Sequence, residues 1–272
     1  MINNLVICGI VRNVGKVFEN NLNSVIGGCK EFSIESIYVV ESDSSDNTLI
    51  VLNRCKKKFK YFDFTSCGVL REKYALRLER ICYCRNLYLE FVKKYYNNKK
   101  YLLLIVDFDN VSPEFSIDNI KHDIIKFKAK ENFCFTANQS HYYYDLWALR
   151  HEILMPHDCW KLFRQMKSLG FSESFSLRFS VLSKHFNLCS KRKIIVPVDC
   201  AFGGAAIYTL PLPLESKYVG IDEDKNEVID HYSFVRTLRD NSFNIYIHSQ
   251  FISNKGVTLF HLICKYIKSF FR

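Results

Sequence analysis

The sequence predicts an α/β fold, with a mixed sheet that carries helices on both faces. Apolar runs of strand length alternate with helical patterns through residues 1–110, and this alternation is typical of the class. The apolar run at residues 101–106 reads as a buried strand. Of the 272 residues, 48% are hydrophobic and 15% aromatic, which predicts a substantial core and excludes a disordered chain.

The first part of the chain contains a regular series of predicted elements. Residues 71–96 give the clearest helix, because apolar side chains recur along one stripe at helical spacing. A second helix should begin near Thr48, where a polar segment can cap it. A further helix is expected over residues 14–26. The strands predicted before residue 101 span residues 5–10, 34–40 and 59–64.

The second part of the chain has a less regular pattern. Residues 141–151 are rich in aromatic side chains, and residues 152–192 read as helices and loops. No internal repeat and no low-complexity linker is visible, so we predict one domain with an elaborated second half. The strands predicted there span residues 133–136, 194–198 and 244–247.

The C-terminal segment, residues 256–272, is predicted to form a separate amphipathic helix. Its basic residues form one narrow stripe beside a wide apolar face: His261, Lys265, Lys268 and Arg272. Two interpretations are open. The helix docks on the core, or it lies on an anionic membrane surface.

The net charge of +10 favours anionic partners. Nucleic acid is not expected among them, because the lysines are scattered and no nucleic-acid-binding module is recognised. No apolar run approaches the roughly 20 residues of a membrane span. The 11 cysteines have no disulfide-framework or zinc spacing, and no secretory signal is visible. We therefore expect a cytoplasmic protein, or one peripheral to the inner face of the membrane.

Two aspartates end the strand at residues 101–106. Asp107 and Asp109 are two residues apart at the carboxyl end of a strand, so both can reach one divalent cation. Arg85 lies on the apolar stripe of the preceding helix, where an unpaired charge would be costly. Either a buried salt bridge or a ligand phosphate can satisfy it. The pattern indicates a metal-dependent enzyme that acts on a phosphorylated substrate.

Five blocks in this order resemble the GT-A nucleotide-sugar glycosyltransferases. The last two resemble in particular the fungal capsule-associated mannosyltransferase group and its bacterial and viral relatives. The resemblance extends over residues 5–250. It implies a GT-A-like single domain, with a nucleotide-sugar-binding half at residues 1–110 and an acceptor-binding half at residues 111–255. The blocks are residues 41–48, 80–86, 107–109, 144–150 and 200–204.

The resemblance also implies roles for residues of the first half. Asp109 would bind Mn²⁺ or Mg²⁺ directly, and Asp107 would contact the ribose, or the metal through water. Such a cation would act as a Lewis acid on the leaving diphosphate. Asp46 can equally be a plain helix-cap residue. The residues expected around the nucleoside and the diphosphate are Arg12, Glu41, Asp46 and Arg85.

In the second half, the same resemblance implies an acceptor site. Tyr144 and Trp147 could stack on a sugar ring or belong to the core, and Asp145 is a candidate catalytic or acceptor-contacting carboxylate. Gly203 and Gly204 permit close approach of a ligand or form a tight turn.

Residues further along this half could complete the site. His231 is the expected further ligand of the metal or the diphosphate, and His248 is the second candidate for this role. Alternatively, His231 is a structural histidine without a ligand. If the enzyme inverts configuration, its base could be Glu223 or Asp224. The mannosyltransferase group retains configuration, so the stereochemistry is open.

The predicted function is transfer of a sugar from GDP-mannose or a UDP-sugar to a glycan or glycolipid. Two other functional classes also fit parts of the sequence. In a haloacid-dehalogenase-type phosphatase, Asp107 would be the nucleophile and Asp109 the acid/base. That motif normally opens its domain, whereas three predicted strands precede it in this chain. A non-catalytic protein that binds nucleic acid or membranes through its positive charge is the third class.

Overall fold

The computed structural model describes residues 4–223 and 225–269. Within these residues, eight strands are joined by hydrogen bonds into one sheet, on which the fold is built. In chain order, the strands are β1 (Asn4–Val11), β2 (Ser33–Glu41), β3 (Phe62–Ser66), β4 (Tyr101–Val106), β5 (Asn132–Gln139), β6 (Ile195–Pro197), β7 (Ala205–Thr209) and β8 (Phe243–Asn254).

Helices cover both faces of this sheet, as the sequence predicts. The helices are α1 (Phe18–Gly27), α2 (Thr48–Lys58), α3 (Arg77–Tyr95), α4 (Lys121–Lys128), α5 (Cys159–Ser168), α6 (Glu173–Ser180), α7 (Asp230–Asp240) and α8 (Leu259–Lys268). One core packs α3 and α7 against the sheet, and the other packs α1, α2 and α4 against the opposite face. Alternating side chains of each central strand enter the two cores, because successive residues of a strand point to opposite faces.

The strand order is β3-β2-β1-β4-β7-β5-β8-β6. The strands β1 to β4 are mutually parallel, and β7 lies antiparallel between β4 and β5. The chain passes from β1 outward to β3 and then returns to β4 on the other side of β1. The α/β prediction is confirmed, and the order β3-β2-β1-β4 of the parallel strands is that of a Rossmann-type sheet. Such a sheet binds ligands where its strand order reverses, here between β1 and β4.

Several predicted elements match the structure closely. The predicted strand at residues 101–106 is β4, and α2 begins at Thr48 as expected. The third strand starts later than predicted: α2 ends at Lys58, and β3 begins at Phe62. Three elements, α4, β7 and α7, are absent from the sequence prediction.

The C-terminal helix α8 is present, although residues 270–272 of the predicted segment lie outside the described residues. None of the α8 side chains is buried. Its apolar face is therefore not docked on the core, which corrects the first interpretation of this segment. Within residues 4–223 and 225–269, no helix combines the length and the apolar character that crossing a membrane requires.

Candidate functional site

A cavity of about 390 Å³ opens at the carboxyl ends of β1, β2 and β4, at the reversal point of the strand order. The loop after each of these strands contributes to its wall, and α3 closes one side. Its polar lining combines four arginines with three aspartates: Arg12, Arg77, Arg80, Arg85, Asp43, Asp107 and Asp109.

The spacing of residues along α3 explains why so many of its side chains reach the cavity. The lining positions of α3 are three or four residues apart, so they share one face of the helix. Arg80 is held on this face by the carbonyl oxygens of Tyr74 and Ala75, which accept from its Nη1 at 2.7 and 2.8 Å. The lining residues of α3 are Arg77, Arg80, Ile81, Cys84 and Arg85.

Gly9 in β1 makes room for the loop that carries the two aspartates. A Cβ at this position would lie 2.4 Å from the carbonyl oxygen of Val106 and 2.7 Å from the ring of Phe108. Phe108 lies between the two aspartates in the sequence. Its side chain is fully buried and anchors the loop in the core. Its carbonyl oxygen also accepts a hydrogen bond from Asn21 Nδ2 at 2.8 Å.

Arg85 is buried and lies between two carboxylates. Its Nη2 is 3.2 Å from Asp107 Oδ1, and its Nε is 2.7 Å from Asp230 Oδ2. Its guanidinium carbon lies 5.3 and 5.4 Å from the ring centroids of Phe202 and Tyr218. The salt-bridge interpretation of Arg85 is thus present in the structure. Because Arg85 also lines the cavity, it can serve a bound anion as well.

Asp107 lies where negative charge is concentrated. Burial, with the nearby carboxylates of Asp109, Asp145 and Asp230, raises the pKa of Asp107 to about 7, although Arg85 acts in the opposite direction. The side chain keeps 31% of its surface exposed, so it remains open to the cavity. A carboxylate held among others is one that a cation would stabilise.

Asp109 is exposed and lines the same cavity. Together with Asp107 it offers the hard oxygen ligands that Mg²⁺ and Mn²⁺ accept. Within residues 4–223 and 225–269, no three or more His, Cys, Asp or Glu side chains are grouped so as to hold a metal ion.

His231 is not among the residues that line this cavity. Its ring stacks on Phe202 with a centroid distance of 3.9 Å, and the Arg85 guanidinium lies over the same Phe202 ring. Burial and the charge of Arg85 lower the pKa of His231 to about 3, against the effect of Asp230. Neither ring nitrogen has a hydrogen-bond partner among the described residues. The structure thus brings Asp230, rather than His231, into contact with Arg85.

His248 lies in another part of the sheet. Its Nε2 is 3.1 Å from Asp123 Oδ2, and Lys193 Nζ is 3.1 Å from the other oxygen of that carboxylate. None of these three residues lines the cavity.

Glu41 and Asp46 stabilise the loops around the cavity and do not line it. The two carboxylate oxygens of Glu41 accept from Ser44 N at 3.0 Å and Ser66 Oγ at 2.5 Å. Asp46 accepts from Thr48 N at 3.0 Å and from Gly15 N at 3.1 Å, which fixes the start of α2 against the loop after β1. Their geometry is that of loop and helix-capping residues.

Asp43, which the sequence prediction missed, lines the cavity, whereas Glu41 does not. Its backbone φ is 57°, and its Oδ1 accepts from Arg71 N at 2.9 Å. Its Oδ2 lies 3.7 Å from Arg80 Nε and accepts no hydrogen bond from a described residue. The sequence signal that could have identified Asp43 is its position in the polar segment after β2.

The second half reaches the site through Asp145 and the glycine pair. Asp145 Oδ2 accepts from Gly203 N at 3.0 Å, and burial raises the pKa of Asp145 despite this hydrogen bond. Gly203 and Gly204 have φ values of 66° and 84°, so they form the tight turn that precedes β7. A Cβ on Gly204 would lie 2.9 Å from Tyr144 Oη. The Gly204 carbonyl oxygen accepts from Asp107 N at 2.9 Å.

Trp147 and Glu223 lie further out. Trp147 is half-buried, and its Nε1 donates to Asp158 Oδ2 at 3.0 Å. Glu223 is exposed in a turn and lines none of the cavities described here. Asp224 lies outside the described residues. Among the candidate carboxylates of the second half, the structure brings Asp145 to the edge of the site.

This arrangement suits an anionic ligand. Four guanidinium groups and three carboxylates line the cavity, and two of the carboxylates, Asp107 and Asp109, follow the end of β4. Asp43 supplies a buried acceptor oxygen at the opposite end, toward β2. A ligand with phosphates at one end and hydrogen-bond donors at the other matches this distribution.

No family model matches this chain, and no curated protein matches it. Among solved structures, the chain is similar to two of S. aureus TarS 1–349, each over 68% of this chain and 56% of that one. One has 15% identity and a TM-score of 0.34, and the other, in complex with UDP, has 11% and 0.37. The match thus spans little more than half of those structures, and such TM-scores carry no argument. Neither structure supports the mannosyltransferase group in particular, which stays a prediction.

Proposed function

We propose that this chain is a nucleotide-sugar glycosyltransferase that depends on a divalent cation. The observation that supports it is the convergence of Asp107, Asp109 and four arginines in one cavity at the reversal point of the strand order. Ligands bind at this point in open α/β sheets. Transfer of a glycosyl group requires the leaving diphosphate to be neutralised, and these side chains carry the charges for that task.

The residues of this chain take distinct parts in the proposal. Arg12 and Arg77 are exposed at the cavity wall and bind the diphosphate oxygens. Arg85, held by Asp230, presents a fixed positive charge beside Asp107. Asp43 accepts a hydrogen bond from the nucleoside. Asp107 and Asp109 would hold Mn²⁺ or Mg²⁺, which supplies Lewis-acid neutralisation of the diphosphate.

Asp145 is the proposed carboxylate on the acceptor side. Its pKa is raised by burial, which makes it a stronger base than an ordinary aspartate. The hydrogen bond from Gly203 N orients it, and the Gly204–Asp107 hydrogen bond places it beside the donor site. Tyr144 and Trp147 contribute aromatic surface for the acceptor. The donor is GDP-mannose or a UDP-sugar, and the acceptor a glycan or glycolipid.

We further propose a peripheral membrane association on the cytoplasmic side. The support is α8, whose exposed residues include Leu259, Phe260 and Ile267, at 54%, 77% and 53% exposure. An exposed apolar helix face with lysines beside it is typical of helices that rest on anionic bilayers.

The function is tested by calorimetric titration of the protein with UDP, UDP-sugars, GDP and GDP-mannose, with and without Mn²⁺. We expect one nucleotide class to bind, with at least tenfold tighter affinity when Mn²⁺ is present. Asp109→Asn should abolish the Mn²⁺ effect, whereas Asp240→Asn, an exposed change on α7, should preserve it. The proposal is excluded if no nucleotide binds, or if the protein hydrolyses phosphate monoesters through Asp107 instead.

A further inference from the structure

A second cavity, of about 500 Å³, lies between the acceptor side of the site and the helices α5, α6 and α8. Its walls are mainly apolar. Two lysines stand at one end, and a tyrosine and an aspartate at the other. The apolar walls include Leu146, Trp147, Trp160, Leu177, Val181 and Val257.

The inner end of this cavity reaches the candidate active site. Tyr144 and Asp145 belong to its lining, and they contact the glycine pair that the Asp107 amide contacts in turn. A group that enters the cavity from α8 and reaches Asp145 therefore arrives at the edge of the proposed donor site.

The outer end is bounded by the basic side of α8. Lys265 and Lys268 line the cavity, while Phe260, Ile263 and Ile267 lie on the other side of the helix and are exposed. This orientation is the reverse of a helix docked on a core, whose apolar face would turn inward. No described carboxylate lies within ion-pair distance of either lysine, so both ammonium groups are available to an anionic ligand.

The neighbouring helix α6 adds a second exposed apolar surface. Phe171, Phe175 and Phe179 stack in a row, with ring centroids 5.5 and 6.1 Å apart, and all three are exposed. Arg178 Nη1 donates to Ser269 O at 3.3 Å, which ties α6 to the end of α8. The cavity thus opens beside two exposed apolar helix faces.

We propose that this cavity binds a lipid phosphate, with its phosphate at the outer end and its aliphatic chain directed inward. The aliphatic chain lies along the apolar walls, because its burial there removes apolar surface from water. Lys265 and Lys268 pair with the phosphate. The exposed faces of α6 and α8 hold the entrance against the bilayer from which the lipid comes.

The tryptophans provide a direct readout. The chain has 2 tryptophans, and both line this cavity. Intrinsic fluorescence is therefore titrated with decyl phosphate below its micellar concentration, and separately with decanol and with inorganic phosphate. We expect saturable quenching or enhancement by decyl phosphate, with at least tenfold weaker binding of the other two ligands.

Two double variants complete the test. Lys265→Ala/Lys268→Ala should weaken decyl phosphate binding about tenfold or more. Lys126→Ala/Lys130→Ala, which removes two exposed lysines elsewhere, should not change it. Equal binding of decanol, an unchanged affinity of the first variant, or no fluorescence response in the wild type would overturn the proposal. Nucleotide affinity, measured on the same samples, should stay unchanged in both variants. If neither the wild type nor the variants bind a nucleotide, the proposed glycosyltransferase function is excluded, whereas the proposed lipid site is not affected.

Discussion

The main-chain amide of Asp107 donates to the carbonyl oxygen of Gly204 at 2.9 Å. This hydrogen bond joins the end of β4 to the turn before β7, two segments nearly 100 residues apart in the sequence. The position of Asp107 is therefore set by both halves of the chain. Substitutions in the second half should therefore alter the proposed donor site even where the substituted residue does not contact a ligand.

Gly9→Ala should displace the loop with the two aspartates. The added Cβ would meet the carbonyl oxygen of Val106 at 2.4 Å and the ring of Phe108 at 2.7 Å, both inside van der Waals distance. We expect a loss of about 1–3 kcal/mol in the free energy of unfolding, as for other overpacked cores. Urea denaturation measures this loss, and calorimetry should show weaker nucleotide binding.

Gly27→Ala is the matched control for Gly9→Ala. A Cβ at Gly27 would meet nothing within 4 Å, and this residue ends α1. The control should leave nucleotide binding unchanged. Equal effects of the two variants would show that close packing at Gly9 does not position the loop.

Asp230→Asn should destabilise the protein and weaken nucleotide binding. Burial works against ionisation of Asp230, but His231 and Arg85 outweigh it and hold the pKa of this carboxyl below its usual value. The variant leaves Arg85 buried with Asp107 as its remaining carboxylate. Removal of one partner from a buried ion pair costs about 3 kcal/mol. Denaturation beside Asp240→Asn, an exposed change on the same helix, tests this; equal stabilities would contradict it.

His231 should make the protein sensitive to acid. Its folded-state pKa of about 3 lies below its ordinary value of 6.5, so below pH 6.5 the unfolded chain binds a proton that the folded chain does not. Stability should therefore fall as the pH decreases from 6.5 toward 3, by up to about 1.4 kcal/mol per pH unit from this group.

His231→Phe keeps a ring against Phe202 and removes the titrating group. The dependence of unfolding free energy on pH between 6.5 and 4 should be shallower in this variant than in the wild type. His122→Gln, which changes a histidine with 87% side-chain exposure, should follow the wild-type curve. Parallel curves for wild type and His231→Phe would mean that His231 is not buried in its neutral form.

Arg77→Ala should weaken nucleotide binding without affecting folding. Arg77 is exposed at the first position of α3 and lines the cavity, with no ion pair to a described carboxylate. We expect an affinity loss of about 3- to 10-fold for UDP or GDP, and a smaller loss at high salt, where exposed charges are screened. Arg71→Ala, outside the cavity lining, is the control. Calorimetry at two salt concentrations separates these outcomes.

Much of the first half could be predicted from sequence because its signals are local. The apolar run of β4 and the polar segment before α2 predict the bounds of β4 and the start of α2 correctly, and the apolar stripe predicts α3, which begins six residues later than expected, at Arg77. The two aspartates follow a parallel strand, so their position at the carboxyl edge of the sheet follows from the strand itself. Arg85 was identified because a charge on an apolar stripe demands a partner.

The remaining features depend on contacts between distant segments. The strand β7 has only five residues after a glycine pair, and its place between β4 and β5 follows from pairing with both. The choice between Asp230 and His231 as the partner of Arg85 depends on how α7 packs against α3. Glu41 is the last residue of β2 and Asp43 follows two residues later, and the turn at Asp43 decides which of the two side chains faces the cavity.

The continuous sheet has a consequence for how substrates enter and products leave. The halves that carry the proposed donor and acceptor sites are joined strand to strand through the β4–β7 and β7–β5 pairs. A hinge rotation between them would break these ladders at the centre of the molecule. Any opening and closing would therefore be confined to the surface loops and to the segment formed by α5, α6 and α8. The rate of turnover would then depend on the mobility of these peripheral segments, while the central sheet stays rigid.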